Sequence, residues 1–354
     1  MKIGNREISD HEPTYFIADI AANHDGDLQR AMDLMYLAKQ AGADAAKFQH
    51  FRAEFIVSDL GFRSIGKQLA HQAMWDKPVS EVYANASLNW KWTSQLKQYA
   101  DSIGIDFFTS PYDFGAVDHV DPFVDVFKIG SGDVTWLEII DYIAAKGKPV
   151  ILATGASSFS EVKDAVTVIN DHNVPYCVMQ CNTNYTGSED NLKYLNINVL
   201  GTYRREFPDA VLGLSDHTHG HVSVLGAVAL GARIIEKHFT DDNDRDGPDH
   251  AFSMTPESWR EMVLRTKDLE ECLGSDIKVV EDNETESLIV QRRGLRASRP
   301  ISKGSCLTRE DVTVLRPVYG DTVPANKLNQ ILGIEVAKDI EKGVEILWTD
   351  LLNP

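Results

Sequence analysis

The sequence is short of cysteine, short of cations and without a long apolar run. Its 354 residues include four cysteines, Cys177, Cys181, Cys272 and Cys306. Four scattered thiols in a chain this long do not make a disulfide framework. Lysine and arginine total 35 against 53 aspartates and glutamates, a formal net charge of −18. Nucleic acid and anionic membrane surfaces both require clustered cations, so neither is an expected partner. No apolar stretch approaches the roughly 18 residues of a membrane helix. The start, Met1 to Glu7, is polar and lacks the apolar segment of a secretory signal. The expectation is a cytoplasmic globular protein. A single anionic small molecule remains possible as a ligand, held by a local nest of lysine, arginine and backbone amides.

What the chain does have is a repeated unit. Eight short apolar runs recur at Phe16–Ile20, Ala45–Gln49, Asp106–Ser110, Val126–Ile129, Pro149–Ala153, Tyr176–Gln180, Val211–Leu214 and Arg233–His238. They are continuously apolar rather than alternating, as strands buried on both faces should be. Amphipathic stretches lie between them, such as Leu28, Met32, Met35 and Ala38 ahead of Gly42. Eight β–α units in series read as a (β/α)8 TIM barrel over residues 1–273. The connection after the second run, Phe51 to about Trp90, is long enough to be functional. Residues 274–293 are acidic and weakly periodic, and read as a linker. Residues 294–354 carry strand-like runs at Leu295–Ser298, Val312–Leu315 and Ile334–Ala337. They also repeat a phrase, Pro300-Ile301-Ser302-Lys303-Gly304 and Asp339-Ile340-Glu341-Lys342-Gly343. A small, mostly β second domain is expected there.

A barrel puts its chemistry at the C-terminal strand ends. Lys47 and Lys128 lie inside apolar runs, where a lysine must meet an anion or lose its charge. Each is read either as half of a buried ion pair or as a ligand for phosphate or carboxylate. Gly130-Ser131-Gly132 beside Lys128 favours the anion. Thr154, Thr183 and Ser215 add hydroxyls at other strand ends. His217 and His238 close the last two strands, so two neutral imidazoles could share one divalent metal in an open site. Imidazole with oxygen suits manganese, iron or zinc alike. The competing reading is one core histidine and one metal-free base. Asp19 and Asp133 are candidate acid–base groups, or partners of the two lysines. Asp216 is read as a supporting partner, and Cys177 and Cys181 as packing.

In order and spacing, these phrases resemble the sialic acid synthase (N-acetylneuraminate synthase) family. The matching runs are Ile17-Ala18-Asp19-Ile20 with Asn23-His24-Asp25-Gly26, Lys128 to Gly132, Gly213 to Thr218, Glu236 to Thr240, Gly247 to His250, and Leu315-Arg316-Pro317. The resemblance implies a C-terminal antifreeze-like (SAF) domain and a homodimer in which that domain covers the partner's barrel. It implies condensation of phosphoenolpyruvate with an open-chain N-acylated aminosugar such as N-acetylmannosamine. The products would be a 2-keto-3-deoxy nine-carbon acid and phosphate, released with C–O cleavage. By the same resemblance the catalytic groups are Asp19, Asp133, Lys47 and Lys128. Phosphoenolpyruvate would meet Lys47, Lys128, Ser131, Thr154, Thr183 and Ser215, and the sugar would meet Thr109, Tyr185, Asp249 and Arg316. His217 and His238 would hold Mn2+, with Mg2+, Co2+ or Zn2+ as alternatives. The family usually carries Glu where Asp19 and Asp133 stand, Ser where Ala153 stands, and a different phrase around Gln180 to Thr183. Alternative readings are a synthase of a legionaminic- or pseudaminic-like acid from a diacetamido sugar, a phosphoenolpyruvate-dependent synthase of another aldose, and a non-catalytic sugar-binding barrel.

Overall fold

The computed structural model describes residues 1–65, 75 and 77–352. The chain divides into two compact units, Met1–Gly274 and Ser275–Pro354. In the first, eight parallel strands close on themselves: β1 (Tyr15–Asp19), β2 (Ala45–His50), β3 (Asp106–Pro111), β4 (Phe127–Ile129), β5 (Val150–Ala153), β6 (Tyr176–Cys181), β7 (Val211–Asp216) and β8 (Ile234–His238). Neighbours in the barrel are neighbours in sequence, and β8 pairs with β1 to shut the ring. All eight coincide with the apolar runs of the sequence to within two residues. A polar hairpin, Lys2–Ile3 with Arg6–Glu7, precedes the barrel.

The outer helices follow from local signals. Asp27 caps α1 (Leu28–Ala41), accepting from the amides of Gln29 and Arg30, and Gly42 ends it in the left-handed region at φ 100°. Ser158 and Glu161 form a capping box on the helix Phe159–Asp171. Thr255 does the same with Ser258 for the helix Pro256–Leu273. The long connection after β2 is partly helical, with α2 (Ala53–Ile56), α3 (Asp59–Ile65) and α4 (Val79–Ala86). α2 and α3 both pack against α4. The intervening part of that connection lies outside the described residues. Among the described residues, no helix is long and apolar enough to cross a membrane.

The second unit has its own core of Leu295, Ile301, Leu307, Val323, Val336, Ile340 and Ile346. Its antiparallel pair is β9 (Gly294–Ala297) with β10 (Val312–Leu315). The repeated phrases pair with each other: Ile301 and Ile340 exchange both backbone hydrogen bonds at 2.9 Å. Residues 334–337 form isolated bridges from Glu335 to Cys306 and from Val336 to Leu351, not a regular strand. The segment read as a linker carries a short helix, Thr285–Val290. Its Ile289 carbonyl accepts from the Val318 amide.

Candidate active site

Strand register assembles the floor of a cavity at the C-terminal strand ends. β1 aligns Asp19 with Lys47 on β2 and with His238 on β8, while β8 aligns Glu236 with Ser215 on β7. The period of two then puts Glu236 and His238 of β8, and Lys47 and Gln49 of β2, together on the inner face of the barrel. Lys47 Nζ donates to Asp19 Oδ2 at 2.7 Å and lies 3.6 Å from Glu236 Oε1. Lys128 Nζ, across the barrel, is 3.2 Å from the same Oε1. Ser215 Oγ donates to it at 3.3 Å. All four charged groups are almost fully buried. Burial alone lowers the Lys47 pKa, but Asp19 and Glu236 outweigh it and hold the ammonium charged. Glu236 Oε2 is buried with no hydrogen-bond partner.

The cavity above this floor encloses about 410 Å³. It is lined by Asp19, Lys47, Lys128, Ser131, Asp133, Thr183, Tyr185, Ser215, His217, His238 and Asp249. Eleven of the sequence-selected residues therefore converge on one space. Ser131 Oγ accepts from the Gly155 amide at 2.9 Å and also bonds the Cys181 thiol. Thr183 packs directly onto Gly155. Asp249 accepts from the Ala22 amide at 3.3 Å. Its loop is pinned by the neighbouring His250, buried between Asp25 at 2.9 Å and Thr240 at 2.7 Å. Burial pushes both Asp133 and Asp249 up to about 6.

Three selected residues lie elsewhere. Thr109 turns to the helix side of β3, where its hydroxyl donates to the Phe48 carbonyl and meets His50 Nδ1, each at 2.8 Å. Ser110 takes the inward position instead, its buried hydroxyl without a partner. Thr154 likewise turns outward, to the Met179 carbonyl at 2.8 Å and the Tyr203 hydroxyl at 2.9 Å. Arg316 is exposed in the second unit. Asp216 is bound away in a buried ion pair with Lys237 at 2.5 Å. His50 is held between Thr93 and Thr109 and pushed down to about 3 by burial, with His119 and His24 adding to it.

Residues 34–278 match the NeuB family and residues 292–352 match the SAF domain. An uncharacterized protein of Methanocaldococcus jannaschii is 36% identical over 356 residues, spanning 100% of this chain and 99% of its own length. An N,N'-diacetyllegionaminic acid synthase of Legionella pneumophila is 32% identical, over 97% of this chain and 98% of that protein. The chain belongs to the NeuB family. In three dimensions, the N-acetylneuraminic acid synthetase of Leptospira borgpetersenii superposes with a TM-score of 0.70 at 28% identity, covering 81% of this chain and 94% of that one. The second unit is accordingly a SAF domain.

The donor set of this NeuB-family barrel fits an open metal site. The His217 and His238 rings are 5.4 Å apart between centroids. His217 Nδ1 is committed to the Asn182 carbonyl at 3.0 Å. His238 Nδ1 is buried without a hydrogen-bond partner, 3.9 Å from Asp249 Oδ2. Burial, then His217 and Lys47, hold the His238 pKa well below its ordinary value, so the ring is neutral with a lone pair to give. No cluster of three or more His, Cys, Asp or Glu side chains is arranged for a metal among the described residues. A metal held here would have two imidazoles from the protein, and substrate or water oxygens would have to complete its shell.

The sequence reading gave Glu236 and Ser110 no role, and marked the connection from Phe51 to about Trp90, which lines one side of the cavity, by its length alone. Glu236 was legible from its place two residues before His238. Ser110 required the phase of β3, which a continuous apolar run does not give.

Proposed function

We propose that this NeuB-family chain condenses phosphoenolpyruvate with the open-chain aldehyde of an N-acylated aminosugar, giving a 2-keto-3-deoxy acid and phosphate. The observation that carries the reading is the buried floor, with Lys47, Lys128, Ser131 and Ser215 converging beside the His217–His238 pair. Lys47 and Lys128 hold the phosphoenolpyruvate anion, with the Ser131, Thr183 and Ser215 hydroxyls donating to its oxygens. Asp19 and Glu236 fix where the two ammonium groups sit. They also neutralise them, so a multiply charged substrate calls for a further cation. His217 and His238 would hold a divalent ion, manganese by preference, whose chemistry when bound would be added positive charge and Lewis-acid polarisation of the aldehyde. The residues keep C3 of phosphoenolpyruvate facing the aldehyde carbon. As that bond forms, positive charge develops at C2. Water adds there, and phosphate departs with the bridging oxygen. Asp133 and Asp249, pushed up to about 6 by burial, suit proton exchange with the sugar hydroxyls and the incoming water.

The same reading has the chain act as a cytoplasmic homodimer, in which Arg316 of one SAF domain reaches the acylamino group held by the other barrel. Phosphate release from phosphoenolpyruvate tests the reaction. With purified protein and manganese, release should depend on a free acylated aminosugar. Binding of phosphoenolpyruvate without release for any sugar would overturn it.

A further inference from the structure

The pleat of β3 brings into the cavity a residue that the chemistry above leaves idle. The Tyr112 amide donates to the His50 carbonyl at 3.0 Å, so the β2–β3 ladder runs one residue past the strand, and Tyr112 shares the inner face with Ser110. Thr109 pairs with Phe127, which sets Ser110 level with Lys128 and Tyr112 level with Gly130, one layer nearer the mouth. Gly130 has φ −71° and ψ 154°, an extended conformation open to any residue. Its missing side chain is instead a matter of space. A Cβ there would lie 3.0 Å from the Tyr112 hydroxyl oxygen and 3.4 Å from Cε1. Phe51 meets the ring edge-on at 6.0 Å between centroids. The phenol is thus held in place, yet no hydrogen bond among the described residues engages its hydroxyl. Ser110 Oγ, one layer below, is buried and equally without a partner. Two unpartnered hydroxyls on one face of a strand end point to a ligand.

The neighbour of Tyr112 narrows what that ligand presents. Asp133 lines the same cavity, its amide donating to the Gly130 carbonyl at 3.1 Å. Its carboxyl makes no hydrogen bond or ion pair among the described residues, and burial alone pushes it up to about 6. After burial, Asp133 is what raises the Tyr112 phenol most, well above its ordinary value, so that hydroxyl keeps its proton. A phenol beside a carboxylate is a donor beside an acceptor. Phosphate and carboxylate groups take donors alone, whereas a sugar hydroxyl takes one of each.

We propose that Tyr112 is a specificity residue for the acceptor, donating a hydrogen bond to one sugar hydroxyl that in turn donates to Asp133. The inference rests on the synthase reading above. The pair follows β3 and β4, across the ring from the strands of His217 and His238. With the aldehyde at the histidines, the gripped hydroxyl is remote from the reacting carbon. An acceptor lacking it leaves both protein groups unpaired, and such sites reject the deficient analogue strongly.

Tyr112→Phe keeps the ring and removes the oxygen. Phosphate release with phosphoenolpyruvate, manganese and N-acetylmannosamine, or whichever free acylated aminosugar the wild type turns over, reads the effect. The KM of the sugar should rise roughly tenfold, while phosphoenolpyruvate affinity, measured by calorimetry without sugar, stays within about twofold. Across monodeoxy analogues of that sugar, the wild type should discriminate against one by roughly tenfold or more, and Tyr112→Phe should lose most of that discrimination. Gly130→Ala, which crowds the hydroxyl, should raise the sugar KM likewise, and adding it to Tyr112→Phe should raise it little further. An unchanged sugar KM in folded Tyr112→Phe overturns the inference. So does an equal loss of sugar and phosphoenolpyruvate binding, or a deoxy profile identical in the two proteins. Each of these leaves the synthase reading standing. A wild type that binds phosphoenolpyruvate but turns over no acceptor removes both.

Discussion

Gly155→Ala is the sharpest structural perturbation of the anion floor. A Cβ built at Gly155 would lie 1.8 Å from Thr183 Oγ1, 3.0 Å from Ser131 Oγ and 3.1 Å from Cys181 Sγ. Ordinary contact begins near 3.5 Å, so the Thr183 hydroxyl must retreat by about 1.7 Å or more. A β-branched side chain has few rotamers in which to do so. Ser131 is also bonded to the Gly155 amide at 2.9 Å, so both hydroxyls move together. Overpacking of this kind costs about 1–3 kcal/mol of stability. Each displaced hydroxyl withdraws a hydrogen bond to a charged ligand, worth about 1.5–3 kcal/mol. With both bonds withdrawn, phosphoenolpyruvate affinity should therefore fall by at least about 100-fold. Adding Thr183→Ala removes the colliding atom. The double variant should regain stability with a coupling of about 0.5–3 kcal/mol, yet still bind phosphoenolpyruvate weakly. Urea unfolding and calorimetric titration read the two effects separately. Wild-type affinity and an unchanged urea midpoint in Gly155→Ala would refute the reasoning.

Three further outcomes follow from the same geometry. Lys128→Met strands the Glu236 carboxylate against a single cation, Lys47 at 3.6 Å. It should cost about 3 kcal/mol by urea unfolding, with most of that recovered in Lys128→Met/Glu236→Gln and turnover lost in both. Asp133, ordinarily near 3.8, is pushed up to about 6 by burial, so the folded chain binds its proton more tightly than the unfolded one. Its contribution to stability therefore declines as pH rises from about 4 through 6, and Asp133→Asn should match the wild type near pH 4 and exceed it by about 1–2 kcal/mol at pH 7. An unchanged difference across urea titrations at the two pH values would contradict that. Arg316→Ala should raise the KM of the sugar far more than that of phosphoenolpyruvate; steady-state kinetics showing equal losses would remove the SAF domain from the sugar site.

The barrel was legible because strands buried on both faces leave continuous apolar runs, and polar loops separate them cleanly. Lys47 and Lys128 stood out because lysine inside such a run demands a partner. The structure supplies two buried carboxylates, Asp19 on the strand beside Lys47 and Glu236 across the barrel from Lys128. What a continuous run hides is phase. Thr109 and Ser110 are equally plausible by sequence, and only the pleat sends Ser110 inward and Thr109 to His50. The same ambiguity sent Thr154 to Tyr203 while Ala153 lines the cavity. The long connection after β2 was marked by its length, but which of its residues line the cavity was not. α4 is eight residues long within a long connection, and its meaning comes from facing the barrel mouth. In the second unit the repeated phrases were visible, but their pairing through Ile301 and Ile340 was not.

The central claim is a sugar-dependent condensation that breaks the C–O bond of phosphoenolpyruvate. The direct measurement is turnover of phosphoenolpyruvate carrying oxygen-18 in the bridging position, with an acylated aminosugar and manganese, followed by mass spectrometry of both products. The account predicts that the label leaves with phosphate and that the keto oxygen of the new acid comes from water. Label retained in the acid, or phosphate released at the same rate without sugar, would contradict it.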